Sequence, residues 1–441
     1  MIMEKLLLWW EQGLIFALGF SIALLGIGRL EFGPAGVSVS AWSVSRTTFF
    51  FWLILKVVKR SRDGWTSSRL SDLKPLAPLL VFFSVVTFSL LPDFRQAGDY
   101  RYFFFACAHA VMLIDLFPAS RAKRWLPVIL GGLPIILVLR GVAHNPAVLS
   151  FALSQRFEFP LDHPNTAGYV FAMSIPVGAI IASIMRGRWR ALSLFSCAGQ
   201  ILALILTFSR GAWLGSAAAL LFLAVISKKW MVIALLVVLS AACILSFSSI
   251  QNRLATIVQP QDDPAMRDRL QLLTSSLQLG RENPLLGVGY GRGRLKDALR
   301  PYLEGTVLEH APILHTHNVY LELLTGTGVL GLLAFFWLLA NTLVKVFSIA
   351  LRRDGAQRLL GFALAASWIG AIVAGLGDIP FYHHETRIFF FTLLAAAHIY
   401  LSFGAEDEIV LLASASRGVS VQIPSPLNSS RLTYFDYFQP W

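Results

Sequence analysis

Long apolar stretches separated by short polar segments fill most of the chain. Twelve such stretches can be drawn, and they cover residues 14–28, 37–58, 76–91, 102–117, 126–142, 167–184, 192–208, 212–226, 231–247, 319–347, 359–376 and 388–403. A helix needs about 20 apolar residues to cross a bilayer, and these stretches are too long and continuous for the strands of a membrane barrel. The pattern therefore predicts an all-α, polytopic membrane protein with about 12 transmembrane helices.

Composition excludes a soluble globular protein of this size. Of the 441 residues, 56% are hydrophobic and only 14% are charged, and the mean hydropathy is +0.64. This is more apolar surface than a soluble core can bury. The three cysteines, Cys107, Cys197 and Cys243, all lie within apolar stretches, so we interpret them as packing residues rather than as disulfide or metal sites.

Basic residues recur in every second loop, which predicts the orientation of the chain. Lysine and arginine cluster in residues 56–74, 121–124, 186–190, 228–229 and 345–358. Loops rich in these residues stay on the cytoplasmic side of a membrane, so both termini are predicted to be cytoplasmic. Because most of the net charge of +12 belongs to these loops, no nucleic-acid partner is needed to explain it.

The remaining segments divide into one long loop and a tail. The predicted transmembrane domain, residues 1–403, includes a large exterior loop, 248–316, which we expect to be partly helical. Within it, 266–280 is a predicted helix, and the turn-rich stretch 283–291 is a predicted lid or platform on the membrane face. The apolar face of the helix predicted over 266–280 is formed by Leu270, Leu273 and Leu277. The polar residues 404–441 are predicted to be a disordered cytoplasmic tail.

Polar groups suited to chemistry lie at the predicted exterior ends of the helices. His315 and His317 precede the apolar stretch 319–347, and Asn318 and Glu322 follow them. Histidine exchanges a proton near neutral pH, which makes His317 the first candidate for a general base. Arginine keeps its charge and offers a fork of donors that suits a diphosphate. The exterior arginines that we select as candidates are Arg210 in the turn 209–211, Arg156 ahead of His163 and Asn165, and Arg267, Arg269 and Arg292 in the long loop.

Each of these residues also has a plainer interpretation. His317 can cap a helix at the interface, Arg210 can reach lipid headgroups, and His163 with Asn165 can cap the helix that starts at Pro164. Glu322 can accept a hydrogen bond within the bundle. A metal site at His310, His315 and His317 is not expected, because the exterior has no Asp-x-Asp pair. The roles of the remaining polar residues stay open, namely those of Arg46 inside the second apolar stretch and of Asp378, His383 and His384 in the last exterior loop.

Several motifs resemble those of bacterial O-antigen ligases and the superfamily that these share with O-antigen polymerases. The first is His317-Asn318 followed, after nine residues, by Gly328-Val329-Leu330-Gly331. The others are Ser209-Arg210-Gly211-Ala212-Trp213, His163-Pro164-Asn165, and Arg269 ahead of Asn283-Pro284-Leu285-Leu286-Gly287-Val288-Gly289. One departure is that Leu273 stands where an aromatic residue often follows the loop arginine, which leaves Arg267 and Arg269 as alternatives for that arginine.

The resemblance implies a membrane glycosyltransferase of the bacterial inner membrane that needs no metal and no cofactor. It would transfer a glycan from undecaprenyl diphosphate to a sugar hydroxyl of the lipid A core on the periplasmic face, with inversion at the anomeric carbon. His317 would deprotonate the acceptor, and Arg210 and Arg269 would hold the diphosphate. Further candidates for substrate binding are Arg267, Arg292, Asn318, His163, Asn165, Arg156 and Glu322.

Three alternatives remain beside a ligase. An O-antigen polymerase would use the same donor but extend a second lipid-linked glycan, and a protein-glycosylating oligosaccharyltransferase would modify a protein. A lipid or glycan transporter belongs to another class of protein. Transporters often carry internal repeats and polar groups at mid-membrane depth, whereas here the polar groups cluster on one predicted side.

Overall fold

The computed structural model describes most of the chain. The described residues are 2–27, 30–32, 37–63, 75–91, 99–118, 126–152, 154–158, 161, 163–228, 250–251, 264–309, 315–379 and 383–404. The predicted span 231–247, the histidine His310 and the tail beyond Gly404 lie outside these residues, so the predictions made for them stay untested.

The described chain is helical apart from one short hairpin. In chain order the elements are α1 (Ile2–Ile27), β1 (Leu30–Phe32), β2 (Val37–Val39), α2 (Ala41–Asp63), α3 (Ala77–Phe88), α4 (Tyr100–Leu116), α5 (Leu126–Gly132), α6 (Pro134–His144), α7 (Pro164–Ile184), α8 (Gly187–Leu206), α9 (Arg210–Ile226), α10 (Pro264–Glu282), α11 (Arg292–Leu299), α12 (Val319–Leu351), α13 (Gly355–Ala374) and α14 (His384–Leu401). The two strands pair antiparallel, with Glu31 opposite Ser38. Short 3-10 turns follow α6 at Pro146–Ser150 and α11 at Arg300–Tyr302.

The helical membrane-protein class predicted from the apolar pattern is confirmed. Every predicted apolar stretch within the described residues contains a helix or a pair of helices. In this part of the chain, 6 helical segments are long and apolar enough to cross a membrane. They are α7, α8, α12, α13, nearly all of α2, and α5 taken together with α6. The total of twelve spans and the side of the membrane on which each loop lies remain predictions.

Three apolar stretches differ from their predicted form because of individual residues. The stretch 319–347, predicted as one continuous span, is broken at Gly328, whose φ of 66° and ψ of −169° are not helical. The stretch 126–142 is interrupted at Leu133, immediately before Pro134, where a helix can restart. The second stretch begins as a strand, and its helix starts only at Ala41. Arg46 therefore lies near the start of α2, exposed and 4.4 Å above the Trp42 ring, and not deep within a span.

The centre of the bundle is formed by α7, α13 and α14, in which most residues are buried. Glycines allow the neighbouring helices to approach closely. A Cβ atom on Gly215 of α9 would lie 2.6 Å from the Gly370 carbonyl oxygen of α13, and one on Gly131 of α5 would lie 2.7 Å from the Gly178 nitrogen of α7. Small residues bring membrane helices together in this way.

The helices of the long loop form a separate small core. It consists of Leu272, Leu279, Leu295, Leu299, Leu303 and Leu308. The helix predicted over 266–280 is observed as α10, but the predicted apolar face was wrong, because Leu270 and Leu277 are exposed and Leu272 and Leu279 are buried. Both leucine sets have helical spacing, so periodicity alone could not choose the face that packs on α11 and α12.

Candidate functional site

The segment 375–377, which follows α13, contacts the starts of α9 and α12 at one end of the bundle. The Val319 amide donates to the Gly375 carbonyl oxygen at 2.9 Å, and Asn318 Nδ2 donates to the Leu376 carbonyl oxygen at 3.2 Å. A Cβ atom on Gly211, the second residue of α9, would lie 3.2 Å from the Gly377 Cα atom. The starts of α9 and α12 therefore meet next to residue 378.

The start of α12 is fixed by its own polar residues. Asn318 caps the helix, since its Oδ1 accepts the amides of Tyr320 and Leu321 at 2.9 and 3.1 Å. The Thr316 amide donates to Glu322 Oε2 at 3.0 Å, which ties the preceding turn to the first turn of the helix. Between these contacts His317 has a φ of 54°, in the left-handed region that non-glycine residues occupy at a cost.

This turn brings two histidines and a carboxylate together. Side-chain ligand atoms of His315, His317 and Asp378 all lie within 4.8 Å of one another. The His315 and His317 ring centroids are 4.0 Å apart, and the His317 amide donates to His315 Nδ1 at 3.2 Å. Among the described residues, none forms a hydrogen bond with the buried Nδ1 of His317. Two imidazoles and a carboxylate are a donor set that can hold Zn²⁺, and a carboxylate close to an imidazole also suits proton transfer.

The surroundings keep His317 neutral. The pKa of His317 is lowered to about 3, chiefly by burial and also by the neighbouring His315, Arg269 and His163, whereas the Asp378 carboxylate acts in the opposite direction. A neutral imidazole carries a lone pair that can accept a proton. The same environment makes its protonated form costly in the absence of a bound anion.

His163 belongs to the same electrostatic cluster. Burial lowers its pKa, Arg156 and Arg269 lower it too, and Asp378 and Glu158 raise it. Its Nδ1 accepts the Asn165 amide at 3.2 Å, so His163 caps α7, as its plainer interpretation predicted. Its ring also stacks on His383, with centroids 5.8 Å apart.

Arg156 is held in place between two helices. Its Nε donates to the Thr207 carbonyl oxygen at 2.8 Å, and its Nη2 donates to Asn165 Oδ1 at 3.3 Å. These bonds connect the end of α8 to the first turn of α7. The Arg156 guanidinium is therefore positioned by bonds within the protein itself.

The other predicted arginines differ in their surroundings. Arg269 in α10 is half-buried and affects the pKa of both His317 and His163, whereas Arg267 is exposed on the same helix. Of the two alternatives for the loop arginine, the structure brings only Arg269 to the histidines. Arg210 is the half-buried first residue of α9, beside the contact between Gly211 and Gly377. Arg292 is the first residue of α11, and its predicted role stays a prediction.

The break in α12 anchors the loop that carries Arg269. The amides of Val288 and Gly289 donate to the carbonyl oxygens of Thr325 and Gly326 at 2.8 and 2.9 Å. In return, the Val329 amide donates to the Pro284 carbonyl oxygen at 2.7 Å. Residues 284–289 of the stretch 283–291, which is predicted as a lid or platform, thus satisfy backbone groups that the break leaves without helical partners.

Asp378 and this break are the features that the sequence analysis did not assign. The sequence leaves the role of Asp378 open, since this residue lies in a different loop from His317. The signal for the break was present in the closely spaced glycines Gly326, Gly328 and Gly331. A glycine with positive φ can leave a helix at no steric cost.

Comparison with known proteins identifies the region that contains most of this site. Residues 192–336 match the protein-family model described as O-antigen ligase. The chain is also similar to a probable peptidoglycan glycosyltransferase FtsW of Nitrosococcus halophilus, with 24% identity over 367 residues that cover 81% of this chain and 80% of that protein. The family match confirms the resemblance predicted from the motifs, and both findings indicate a membrane glycosyltransferase-like enzyme.

Proposed function

We propose, from the place of this chain in the O-antigen ligase and polymerase superfamily, that it is an O-antigen ligase. It would transfer a glycan from undecaprenyl diphosphate to a sugar hydroxyl of the lipid A core, at the periplasmic face of the bacterial inner membrane. The observation that carries this proposal is the grouping of neutral His317 with Asp378 and with Arg269. A base, a carboxylate beside it and a fixed cation are what such a transfer needs.

The proposed reaction is a single displacement. His317 takes the proton of the acceptor hydroxyl, and the hydroxyl oxygen forms a bond with the anomeric carbon of the donor glycan. The bond from that carbon to the diphosphate oxygen breaks, and undecaprenyl diphosphate leaves as an anion. Arg210 and Arg269 stabilise the charge that develops on it, and attack from the opposite side inverts the anomeric centre.

The low pKa of His317 has a consequence for the order of events. A base with a pKa of about 3 is neutral at physiological pH but accepts a proton poorly. A diphosphate bound near Arg269 adds negative charge, which raises the pKa of His317 towards neutrality. The base would therefore become effective only when the donor is bound, so that the acceptor hydroxyl is deprotonated only beside a bound donor.

Several predicted substrate-binding residues are better suited to positioning. Asn318 and Glu322 both hold backbone amides around His317, and His163 holds the first turn of α7. Asp378 lies where it can orient His317 and stabilise the imidazolium that forms. These contacts support a role for these groups in positioning the base His317. Arg156, bonded to Asn165 and to the Thr207 carbonyl oxygen, links α7 to the end of α8.

The test is a transfer assay with purified protein, undecaprenyl-diphosphate-linked glycan and lipid A core in the presence of EDTA. We expect the wild type to form core-linked glycan, and His317→Asn and Arg210→Ala to lose this activity while remaining folded. Asparagine tolerates the left-handed backbone at position 317 but cannot act as the base. Arg267→Gln is the matched control, since it removes an exposed arginine.

The other outcomes discriminate the alternatives. Loss of wild-type activity in EDTA, with rescue by Zn²⁺, would contradict the metal-free mechanism and assign a metal to His315, His317 and Asp378. Glycan chains that lengthen on the lipid carrier would identify a polymerase. Absence of any transfer by the folded wild type would overturn the glycosyltransferase proposal and favour the transporter.

A further inference from the structure

A polar cavity lies beside the site, on the side of Arg156. Its volume is about 380 Å³, and its walls include His144, Asn145, Arg156 and Glu158 together with the buried Phe157. This volume is within the usual range of small-molecule sites, about 300–1,000 Å³. The motifs of the sequence analysis do not include His144, Asn145 or Glu158, and the proposed mechanism does not use them.

The walls of the cavity are held by the fold. The Asn145 amide ends α6 by donating to the Gly141 carbonyl oxygen at 3.0 Å, and its side-chain Nδ2 donates to Gln155 Oε1 at 3.0 Å. The Phe157 amide donates to the Leu206 carbonyl oxygen at 2.9 Å, at the end of α8. The end of α6 and the segment 154–158 thus form a preformed recess, which lowers the ordering cost of binding a ligand.

Arg156 links the cavity to the start of α7, where His163 lies. This arginine lines the cavity and also bonds Asn165 in the first turn of α7. Glu158, on the same wall, lies close enough to His163 to affect its charge state, as Arg269 also does. A molecule in the cavity would therefore lie next to the start of α7 and to His163, which belongs to the same electrostatic cluster as His317.

The chemistry of the walls indicates the class of ligand. An imidazole, a carboxamide, a guanidinium and a carboxylate offer both donors and acceptors, which suit the alternating hydroxyl groups of a sugar. A lipid tail lying over these groups would remove their water and offer no hydrogen bonds in return, which is costly. The carboxylate of Glu158 also disfavours an isolated anion such as free phosphate.

We propose that this cavity binds the sugar residue of the acceptor glycan whose hydroxyl is glycosylated, or the sugar next to it. His144, Asn145 and Glu158 bind its hydroxyl groups, and Arg156 connects this subsite to α7. This inference rests on the proposed function, since it takes the second substrate to be a glycan. It adds residues that would determine which acceptor is used.

The test measures each substrate separately. In the transfer assay, Asn145→Ala and Glu158→Gln are expected to raise the KM for the acceptor about tenfold, the effect of losing one or two hydrogen bonds. The KM for the donor and the kcat at saturating acceptor should not change in either variant. The melting temperature should not change in Glu158→Gln, whereas Asn145→Ala also loses the bond to Gln155 Oε1 and should unfold at a slightly lower temperature. Ser154→Ala is the matched control, because Ser154 is exposed on the same segment. A higher KM for the donor, or no change in any KM, would overturn the proposal.

A binding experiment separates this inference from the proposed function. Saturation-transfer NMR with detergent-solubilised protein and lipid-free core oligosaccharide, without donor, should show binding to the wild type that is about tenfold weaker in both variants. Such binding in a protein that transfers no glycan would support the sugar site and refute the ligase. Transfer by the wild type with unchanged oligosaccharide binding in both variants would refute the sugar site alone.

Discussion

The stretch 315–331 has two halves with different structural roles. The first half ends at Glu322, and the second half begins at Thr325. The first half contains the polar turn in which Asn318 and Glu322 position His317. The second half contains the break at Gly328, where main-chain groups bond to the loop 283–289. Both halves belong to one motif of the O-antigen ligase resemblance, yet one half positions side chains and the other joins backbones.

This difference shows how one short motif can assemble a site from distant parts of the chain. The helix start at Asn318 is fixed to the end of α13, which delivers Asp378. The break at Gly328 is fixed to the loop, which delivers Arg269 from α10. We therefore expect substitutions in the first half to affect chemistry more than stability, and substitutions at the break to do the opposite.

The largest effect is expected at His317. His317→Asn should reduce the transfer rate about 10²- to 10⁴-fold, the usual contribution of a general base. Asparagine is also tolerated in the left-handed region, so the melting temperature should stay within about 2 °C of the wild type. The measurement is kcat together with thermal unfolding. A fully active variant would contradict the assignment of the base.

A smaller loss of activity is expected at Arg269. Its position depends on the second half of the stretch 315–331, because the loop that follows α10 is bonded to the break at Gly328. Arg269→Gln should reduce kcat/KM for the donor about 10²-fold, as removal of one charge-stabilising group does. Arg267→Gln, on the same helix but exposed, should change this value less than about threefold. Equal losses in both variants would show that the loop acts through its overall positive charge.

Gly328→Ala should act on stability and not on the reacting groups. The added Cβ atom would lie 2.2 Å from both the carbonyl carbon and the carbonyl oxygen of Leu285, and the φ of 66° would itself be strained. We expect a loss of about 3 kcal/mol in the free energy of unfolding, seen as a lower melting temperature and less folded protein. Gly19→Ala in α1 is the control, because no atom lies within 4 Å of its added Cβ.

The smallest effect is expected at Asn318. Asn318→Ala should destabilise the protein by about 1 kcal/mol, the typical value of a helix cap, and Asn318→Ser should restore most of this loss. The melting temperatures of the two variants measure it. If Asn318→Ser were stable but transferred glycan about 10²-fold more slowly, Asn318 would contact the substrate as well as cap the helix.

The sequence predicted the parts of the site that depend on local order. His317, Asn318 and Glu322 are close in the chain, and the short turn before Arg210 follows from the apolar stretches on either side of it. Asp378 could not be assigned in this way, because its nearness to His317 results from the packing of α13 against α12. The choice between Arg267 and Arg269 likewise needed the orientation of α10.

The sequence by itself therefore determined the helical membrane class, the approximate positions of most helices and the residue types available at their ends. These properties follow from hydrophobic length and from local capping and turn preferences. Only the tertiary structure decided which helix ends meet, where α12 breaks and which face of α10 is buried. Those outcomes depend on contacts between residues that are far apart in the chain, such as Gly328 with Leu285 and Asp378 with His317, and no periodicity along the sequence encodes them.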